Sequence, residues 1–389
     1  MKKTIALLLA VSLLLCGCSE LIPAKTTVAS EKQRMADAAP VTRSQPETQA
    51  PTETTSELQT EPQTEPQTQT ETEPEPVYFN PLNGEILDEP FNRRIFAVSI
   101  NNLRDACPHA SVGAADMYFE TFVNGSIIRG LALYTNPMGL EAIGSVRSDR
   151  MIFNDIALHY DCIMVHAGGS NKVLKDCATR NLDNFNIDAW AIAQTTSFRS
   201  KDRLNRGYGW EHVLFAIGDG IVDYAETSGL RTELNPDLDY NLRFAEDGTP
   251  ADGVAAENIT VTITVNDYKK DTSMIYDPEL GKYVYNQYGK QMNDELTGEP
   301  EAFRNVLILE GEFYYDETYH RVKMFEGGEG WYACGGKAIP IKWGEFDENS
   351  PLWFTTMDGE PLVVGQGNTY VAITQNGSHI TGIGSEETV

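Results

Sequence analysis

Two arginines three residues apart are the clearest candidates for chemistry in this sequence. Arg147 and Arg150 flank Ser148 and Asp149, just where an apolar periodicity of helical type begins. Ser148 is a favourable N-cap and Asp149 suits a first helical turn, so the pattern predicts a helix over residues 148–159. A helix N-terminus presents free N–H groups, and guanidiniums bind phosphate or carboxylate through paired hydrogen bonds. The segment therefore predicts an anion-binding site.

Two other segments could complete this site. Arg129, in a predicted strand, could supply a third guanidinium. Gly168 and Gly169 follow a predicted buried strand over residues 161–166 and precede a predicted helix that begins at Ser170 or Asn171. Glycines let a backbone approach a ligand, and the ligands of α/β sheets gather at the carboxyl ends of strands. We expect the following residues to bind the ligand: Arg129, Arg147, Ser148, Arg150, Gly168, Gly169 and Ser170.

Three side chains are candidates for general acid–base catalysis if the protein is an enzyme. His166 ends the predicted buried strand, and Glu120 ends another predicted strand, so both could face one cleft. His212 follows Trp210 and Glu211 near a further predicted helix. Histidine and glutamate are the side chains that most often transfer protons in catalysis.

Each of these candidates also has a structural interpretation. The arginines could pair with neighbouring carboxylates such as Asp149, Asp155 or Asp161. His166 and His212 could be hydrogen-bonded core histidines, and the two glycines could simply form a tight turn. The functional interpretation depends on several such features falling together at the ends of neighbouring elements.

Signatures of familiar catalytic classes are absent from the sequence. The six histidines form no His-x-x-x-His or His-Glu pair of metalloprotease type. A Gly-x-Ser-x-Gly elbow for a serine nucleophile and a Cys-x-x-Cys redox motif are also missing. We therefore expect neither a metal nor another cofactor. A serine nucleophile remains open only through assembly in space.

The charge of the chain argues against one class of partner. The formal net charge is −27, and the tether over residues 47–76 accounts for only eight glutamates of it. A surface so acidic repels nucleic acid, so we expect no nucleic-acid partner. The sequence names no protein partner and leaves the pairing of four cysteines open. These cysteines are Cys107, Cys162, Cys177 and Cys334.

The N-terminus predicts export and a lipid anchor. Two lysines, an apolar run over residues 4–15 and the phrase Cys16-Gly17-Cys18 match a bacterial lipoprotein signal, with residues 1–17 removed. Cys18 would then carry a diacylglyceryl group of the palmitate type, which holds a protein stably on the membrane. Residues 18–76 would be a lipidated cysteine and a disordered linker rich in Thr, Glu, Pro and Gln.

The predicted secondary structure changes along the remaining sequence. Residues 77–229 alternate strand and helix patterns, which predicts an α/β domain. Residues 230–257, rich in Asn, Asp and Pro, would connect it to the rest. Residues 258–389 are rich in alternating strand patterns, which predicts a smaller, mainly antiparallel β domain.

Several motifs resemble the YerB-like lipoproteins, bacterial surface proteins typical of Firmicutes with paired N- and C-terminal domains of unknown function. The matching phrases include Asn80-Pro81-Leu82-Asn83-Gly84, Ser99-Ile100-Asn101-Asn102, Ala115-Asp116-Met117-Tyr118-Phe119-Glu120, Ile143-Gly144-Ser145-Val146-Arg147-Ser148 and Val165-His166-Ala167-Gly168-Gly169-Ser170. The resemblance covers most of residues 80–373. The family usually has Arg-Ser-Ala-Arg where this chain has Asp149, and Pro-His-Asn-Leu where this chain has Glu211-His212-Val213-Leu214. It implies an extracytoplasmic location on the cell membrane and a two-domain architecture, without an activity.

Three functions follow as hypotheses. We favour a lipid-anchored extracytoplasmic protein that binds an anionic envelope-related ligand in the α/β domain. One alternative is an envelope hydrolase or transferase that acts on a wall or lipid-linked phosphate, with His166 or Glu120 as general base. The other is a non-catalytic scaffold or assembly factor.

Overall fold

Strands dominate the fold of this protein. The computed structural model describes residues 77–384. The predicted signal peptide, Cys18 and the linker lie outside this range. The first strands are β1 Tyr78–Phe79, β2 Ile86–Leu87, β3 Phe96–Asn101, β4 Met117–Asn124, β5 Ile127–Tyr134, β6 Ile143–Gly144, β7 Ile163–His166, β8 Asn184–Asn186, β9 Ser197–Arg199 and β10 Leu214–Ala216.

The later part of the chain contributes strands and turns only. Its strands are β11 Arg243–Ala245, β12 Val254–Ala255, β13 Asn258–Val265, β14 Tyr268–Asp277, β15 Lys282–Gln287, β16 Lys290–Gln291, β17 Ala302–Phe303, β18 Asn305–Gly311, β19 Phe313–Asp316, β20 Tyr319–Val322, β21 Gly328–Cys334, β22 Lys337–Gly344, β23 Trp353–Thr356, β24 Val363–Gly365, β25 Thr369–Gln375 and β26 Ile380–Thr381. Within the described range, helices are confined to residues 104–227.

The α-helices are short and follow the early strands. They are α1 Met151–His159, α2 Asn171–Arg180, α3 Ala193–Thr196, α4 Lys201–Asn205 and α5 Gly218–Thr227. Single 3-10 turns occupy Arg104–Ala106, Val112–Ala114 and Trp210–His212. Helix α1 is apolar on nearly all sides and is buried almost throughout, as expected for a helix enclosed by other elements.

One large sheet runs through both halves of the chain. Among residues 77–384 it has thirteen strands, with the main order β12-β22-β21-β18-β25-β4-β5-β3-β7-β8. Strand β25 pairs in parallel with both β18 and β4, so strands from the two ends of the chain lie side by side. The region predicted to be α/β and the region predicted to be mainly β therefore contribute strands to one hydrogen-bonded sheet.

The two faces of this sheet pack against different elements. Alternate residues of a strand point to opposite faces. Phe119 and Leu131 belong to a core cluster with Ile152 and Ile156 of helix α1. The intervening Tyr118 belongs to a second cluster, with residues of a six-stranded sheet in the order β16-β15-β14-β13-β26 and with β17 beside β15.

The predicted α/β character of the first half is confirmed only in part. Strands β3, β7 and β8 are parallel, and β7 leads into helix α2 as the pattern predicts. Strands β4 and β5 form the antiparallel hairpin that the Asn124-Gly125 turn signal predicts. The prediction for the next helix was wrong at its start: α1 begins at Met151, and Arg150 in an extended conformation is its N-cap rather than Ser148.

Two further properties concern the described residues as a whole. No helix in residues 77–384 is long and apolar enough to cross a membrane. The four cysteines in this range are all free and buried, so none is paired with another.

Candidate functional site

Three parallel strands end side by side in polar residues. Strand β3 ends at Asn101, β7 at His166 and β8 at Asn186. The carboxyl ends of parallel strands are the usual place for ligands in α/β sheets. The predicted site residues are therefore expected at this edge of the large sheet.

The segment before helix α1 crosses this edge in an extended conformation. The N–H of Arg147 donates to the carbonyl of Ser99 (2.9 Å), and the carbonyl of Arg147 accepts from Ala167 (2.9 Å). The N–H of Asp149 donates to the carbonyl of Gly168 (2.9 Å). These bonds hold the arginine segment between strand β3 and the Gly168 turn, as the anion-site hypothesis requires.

The three predicted arginines come together at this place. The guanidinium of Arg129 donates to the carbonyl oxygen of Ser148, and Nη1 of Arg150 donates to the same oxygen (3.3 Å). Arg150 also bonds Oδ1 of Asn124 (2.9 Å) and the carbonyl of Asp149 (2.6 Å). In the described part of the chain, none of the three guanidiniums forms an ion pair with a carboxylate.

Arg147 is the least satisfied of the three. It is half-buried, and its Nη1 makes one long hydrogen bond to the carbonyl of Glu211 (3.4 Å). Its Nε is buried and lacks a hydrogen-bond partner among the described residues. Buried donors are nearly always bonded, so an unbonded guanidinium nitrogen marks a place for an acceptor from outside.

Burial and mutual repulsion destabilise the charge of this group. Burial lowers the pKa of Arg129, and the charges of Arg150 and Arg147 lower it further. Burial likewise lowers the pKa of Arg147, while the carboxylate of Glu211 opposes this effect and the charge of Arg199 adds to it. A bound anion would raise the pKa values of both Arg129 and Arg147, because an opposite charge favours the cationic form.

The glycine turn leaves room beside the arginines. Gly168 has φ +75°, and a Cβ placed there would meet no atom within 4 Å. Its N–H donates to Oδ1 of Asn186 (2.9 Å). The open space and the left-handed backbone suit a ligand-contacting turn. Gly169 packs instead against Leu174, which is a structural contact.

Ser170 caps the helix that follows the turn. Its Oγ accepts from the N–H of Val173 (3.3 Å) and from the hydroxyl of Tyr319 (2.6 Å). Helix α2 begins at Asn171, which confirms the predicted start. The Ser170 hydroxyl is thus occupied within the protein, although the residue itself is exposed.

The two predicted histidines have structural partners. His166 is buried and its Nε2 donates to Oδ1 of Asn184 (3.1 Å); burial lowers its pKa. The amide of Asn101 donates to Nδ1 of His212 (2.9 Å), and burial also lowers the pKa of His212, with Arg147 adding to the effect. His212 therefore lies near the arginines. The hydrogen bond to Asn184 fixes the ring of His166.

Glu120 lies on the other face of the sheet. Arg129 pairs with Thr121 across the β4–β5 hairpin, so Glu120 points away from the arginines. Its carboxylate is fully buried in an ion pair with Lys270 and accepts from the hydroxyl of Tyr370 (2.6 Å). The structure does not bring Glu120 into the cleft that the sequence suggested.

Some residues at the strand ends were missed by sequence reasoning. Arg199 lies over the ring of Trp210 at 4.2 Å and bonds Asp188 (2.6 Å). Trp190 and Trp210 are exposed, which is unusual for tryptophan. Asn101, at the end of β3, was also missed as a site residue. The Asn101-Asn102 pair was the available signal for it, because polar residues at a strand end are candidate ligand contacts.

Metal ligation has no support in the described residues. Residues 77–384 contain no group of three His, Cys, Asp or Glu side chains that could hold a metal ion.

Comparisons with known proteins agree with this architecture. Family models described as the N-terminal and C-terminal domains of a "Protein of unknown function (DUF3048)" match residues 82–231 and 260–371. The chain is 28% identical over 274 residues to "Putative lipoprotein YerB" of Bacillus subtilis (strain 168), which covers 65% of this chain and 77% of that protein. The chain belongs to the YerB-like family.

A solved structure shows the same fold for a YerB-like relative. The crystal structure of YerB from Bacillus subtilis matches with a TM-score of 0.66 at 24% sequence identity, and covers 78% of this chain and 99% of that chain. In this YerB-like chain, the two family regions share the large sheet, because β18 and β25 continue it from β4. The relationship places the chain among lipoproteins of unknown function.

Proposed function

We propose that this protein is a lipid-anchored extracytoplasmic binding protein for an anionic, envelope-related ligand. The ligand would bind at the carboxyl ends of strands β3, β7 and β8. The lipoprotein relative supports the anchor, and the motif around Cys18 supports the same attachment from the sequence. An exported, anchored protein meets the anionic precursors and polymers of the envelope.

One observation carries the proposal. Arg129, Arg147 and Arg150 lie together without a carboxylate partner, in the described part of a chain whose formal net charge is −27. In such an acidic protein, structural arginines readily find acidic partners, as Arg94 does with Asp183. A group of cations that form no direct ion pair, and that only feel Asp149 and Glu211 at longer range, is most simply explained by an anion supplied from outside.

The arrangement suits a compact anion with several oxygens. Two backbone carbonyls, those of Ser148 and Asp149, already accept from the guanidiniums of Arg129 and Arg150. The donor of Arg147 that lacks a partner and the open side of Gly168 would then contact the ligand. A phosphate group or a carboxylate presents the acceptors that this set of donors requires.

The hydrolase or transferase alternative has less support. His166 is tied to Asn184, and Glu120 lies on the opposite face within its own ion pair. Glu120 is thus separated from a ligand held by the arginines, and Nε2 of His166 is engaged in its hydrogen bond to Asn184. The proposal therefore assigns binding to this site, without turnover.

A thermal unfolding experiment tests this function. The full chain in detergent would be followed with phosphate, pyrophosphate, a lipid phosphate and muropeptides, because a ligand that binds only the folded state raises the midpoint. The midpoint should rise with at least one phosphate-bearing ligand, and the rise should vanish in Arg147→Ala.

A matched control separates the site from general ionic effects. Arg231→Ala removes a guanidinium that is already bonded to Asp161 (2.5 Å), so it should keep the response. Equal responses in wild type and Arg147→Ala, or no response to any ligand, would contradict the proposal and favour a scaffold without a small ligand.

A further inference from the structure

A separate cavity lies next to a cysteine that the anion site does not use. It has a volume of about 580 Å³ and is lined in part by Cys107, Phe198, Phe215 and Met292. The two phenylalanine rings stack with their centroids 5.6 Å apart. Phe198, Phe215 and Met292 therefore form an apolar patch in a cavity that is also lined by charged residues such as Asp202, Arg206 and Lys290.

His109 lies beside Cys107 and is hydrogen-bonded in turn to Glu301. Nε2 of His109 is 4.0 Å from Sγ of Cys107, and Nδ1 of His109 donates to Oε2 of Glu301 (3.1 Å). His109 is fully buried and Glu301 is 1% exposed. A nucleophile, a base and a group that orients the base form the general arrangement of a catalytic triad. Such contacts are often long without substrate.

A buried amide points at the same sulfur. Nε2 of Gln287 donates to Sγ of Cys107 (3.5 Å), while its Oε1 is buried and lacks a partner among the described residues. Oε1 of Glu301 is also buried without a partner. Gln287 is 2% exposed. Buried polar atoms left unbonded require an explanation, and a reacting group beside the sulfur would provide one.

The surroundings of His109 stabilise its charged form. Burial opposes the charge, but the carboxylate of Glu301 and the sulfur of Cys107 outweigh it and raise the pKa of His109 to about 10. The other titratable groups that face the ring are Tyr118 and Tyr285, with ring centroids at 6.3 Å and 6.5 Å. The carbonyl of His109 accepts from the N–H of Glu295 (2.7 Å). A cationic imidazole beside the sulfur can act as a general acid towards a leaving group.

We propose that Cys107, His109 and Glu301 form a nucleophilic thiol site that accepts an acyl group from an ester or amide with an apolar acyl chain. Gln287 would donate a hydrogen bond to the oxyanion of the reaction. The apolar lining by Phe198, Phe215 and Met292 would hold the acyl chain. This inference is independent of the anion site.

The proposed reaction balances with water as the second reactant. The thiolate of Cys107 attacks the carbonyl carbon and forms a C–S bond, which places a negative charge on the carbonyl oxygen. The C–O or C–N bond then breaks, and His109 gives its proton to the leaving alcohol or amine. Water attacks the thioester, His109 takes a proton from that water, and the thiolate leaves as the carboxylic acid forms.

The other cysteines provide internal controls. Cys162 and Cys334 are fully buried, and neither contacts a histidine among the described residues. The thiol of Cys177 donates to Oδ2 of Asp149 (3.3 Å), and burial together with that carboxylate raises its pKa. These three cysteines should react slowly in the folded protein.

Alkylation mapped by mass spectrometry is the first test. The full chain in detergent would be treated with iodoacetamide at pH 6 and pH 8, and each cysteine peptide would be quantified. Cys107 should be modified at least about tenfold faster than the three control cysteines at both pH values, because it lines the cavity and contacts His109. His109→Gln should abolish this advantage while Cys177→Ser should preserve it. Equal rates at all four cysteines of the native protein would overturn the proposal.

Acyl transfer is the second test and distinguishes catalysis from mere reactivity. With p-nitrophenyl butyrate, wild type should release p-nitrophenolate and carry one butyryl group on the Cys107 peptide, and Cys107→Ser should lose both signals. If His109→Gln unfolds, Glu301→Gln with an intact circular dichroism spectrum should slow acylation in its place. An alkylated Cys107 that never carries a butyryl group would overturn the acyl-transfer assignment.

Discussion

Arg129 and Arg150 donate to one and the same acceptor, the carbonyl oxygen of Ser148. Two cations therefore share a neutral oxygen and form no direct ion pair, although the buried carboxylate of Asp149 favours both charges. The bond orients both guanidiniums without neutralising them, so their charge remains available. Arg147, on the other side of Ser148, keeps a buried Nε without a partner among the described residues.

Loss of Arg147 should cost little stability in a buffer without multivalent anions. Its single long bond contributes weakly, and its removal loses the attraction of Glu211 while it relieves the repulsion of Arg199 and the cost of burial. We expect Arg147→Met to change the free energy of unfolding by no more than about 0.5 kcal/mol in either direction. Arg203→Met is the contrast, because Arg203 is fully buried, pairs with Glu295 and donates to the carbonyl of His212; it should cost about 3–5 kcal/mol. Urea unfolding measures both, and a similar loss in the two variants would contradict this account.

Gly168→Ala should weaken phosphate binding beyond its effect on stability. The left-handed backbone at φ +75° costs an alanine about 1–2 kcal/mol, although the side chain itself has space. The same strain arises in Gly359→Ala, where φ is +89° and the space is also open. We expect Gly168→Ala to weaken phosphate binding roughly fivefold or more, about 1 kcal/mol, and Gly359→Ala to leave it unchanged. Equal affinities in both variants would remove Gly168 from the site.

The buried pair of Glu120 and Lys270 should act as a unit in stability. Glu120 also accepts from Asn102 (2.7 Å) and Thr272 (3.1 Å), so loss of Lys270 leaves a buried carboxylate without its cation. We expect Lys270→Met to cost about 3–5 kcal/mol, and Lys270→Met with Glu120→Gln to cost clearly less. Chemical denaturation of Lys270→Met, Glu120→Gln and the double variant gives the coupling free energy between the two side chains. A double variant that loses the sum of the two single losses would show that the pair does not interact.

Stability should fall at alkaline pH through His109. Its pKa in the folded protein is about 10, above the ordinary value of 6.5, because Glu301 and Cys107 outweigh the opposing effect of burial. The contribution of its charge is complete below pH 6.5 and is lost as pH rises from 6.5 to 10, by at most about 1.4 kcal/mol per pH unit. The stability difference between wild type and His109→Gln should shrink over that interval. A difference that stays constant with pH would contradict a charged His109.

Local sequence patterns were enough to predict many elements of the fold. The strand over residues 127–134 and the Asn124-Gly125 hairpin follow from alternation and turn chemistry, and both were found. Helix α2 begins where Ser170 supplies a cap. The joined sheet could not be predicted, because the parallel pairing of β25 with β4 connects residues about 250 positions apart and has no local signal. The start of α1 was misplaced because Ser148 is held in an extended segment by long-range backbone bonds.

The sites were predictable to different degrees. The arginines and the glycine turn could be grouped because each follows or precedes a recognisable element end. Glu120 was placed on the wrong side because an error of one residue in a strand reverses the face. Cys107, His109 and Glu301 escaped detection altogether, because the carboxylate lies 192 positions from the histidine and only folding brings them together.

Direct titration of phosphate into the full-length protein tests the central claim most directly. Isothermal calorimetry at low salt would compare wild type, Arg147→Ala and Arg231→Ala in detergent. The account predicts one phosphate site per chain in wild type and Arg231→Ala, and at least about tenfold weaker binding in Arg147→Ala, since a charge-assisted hydrogen bond contributes roughly 1.5–3 kcal/mol. Binding of the same affinity in all three proteins, or no binding of phosphate, pyrophosphate or a lipid phosphate, would contradict it.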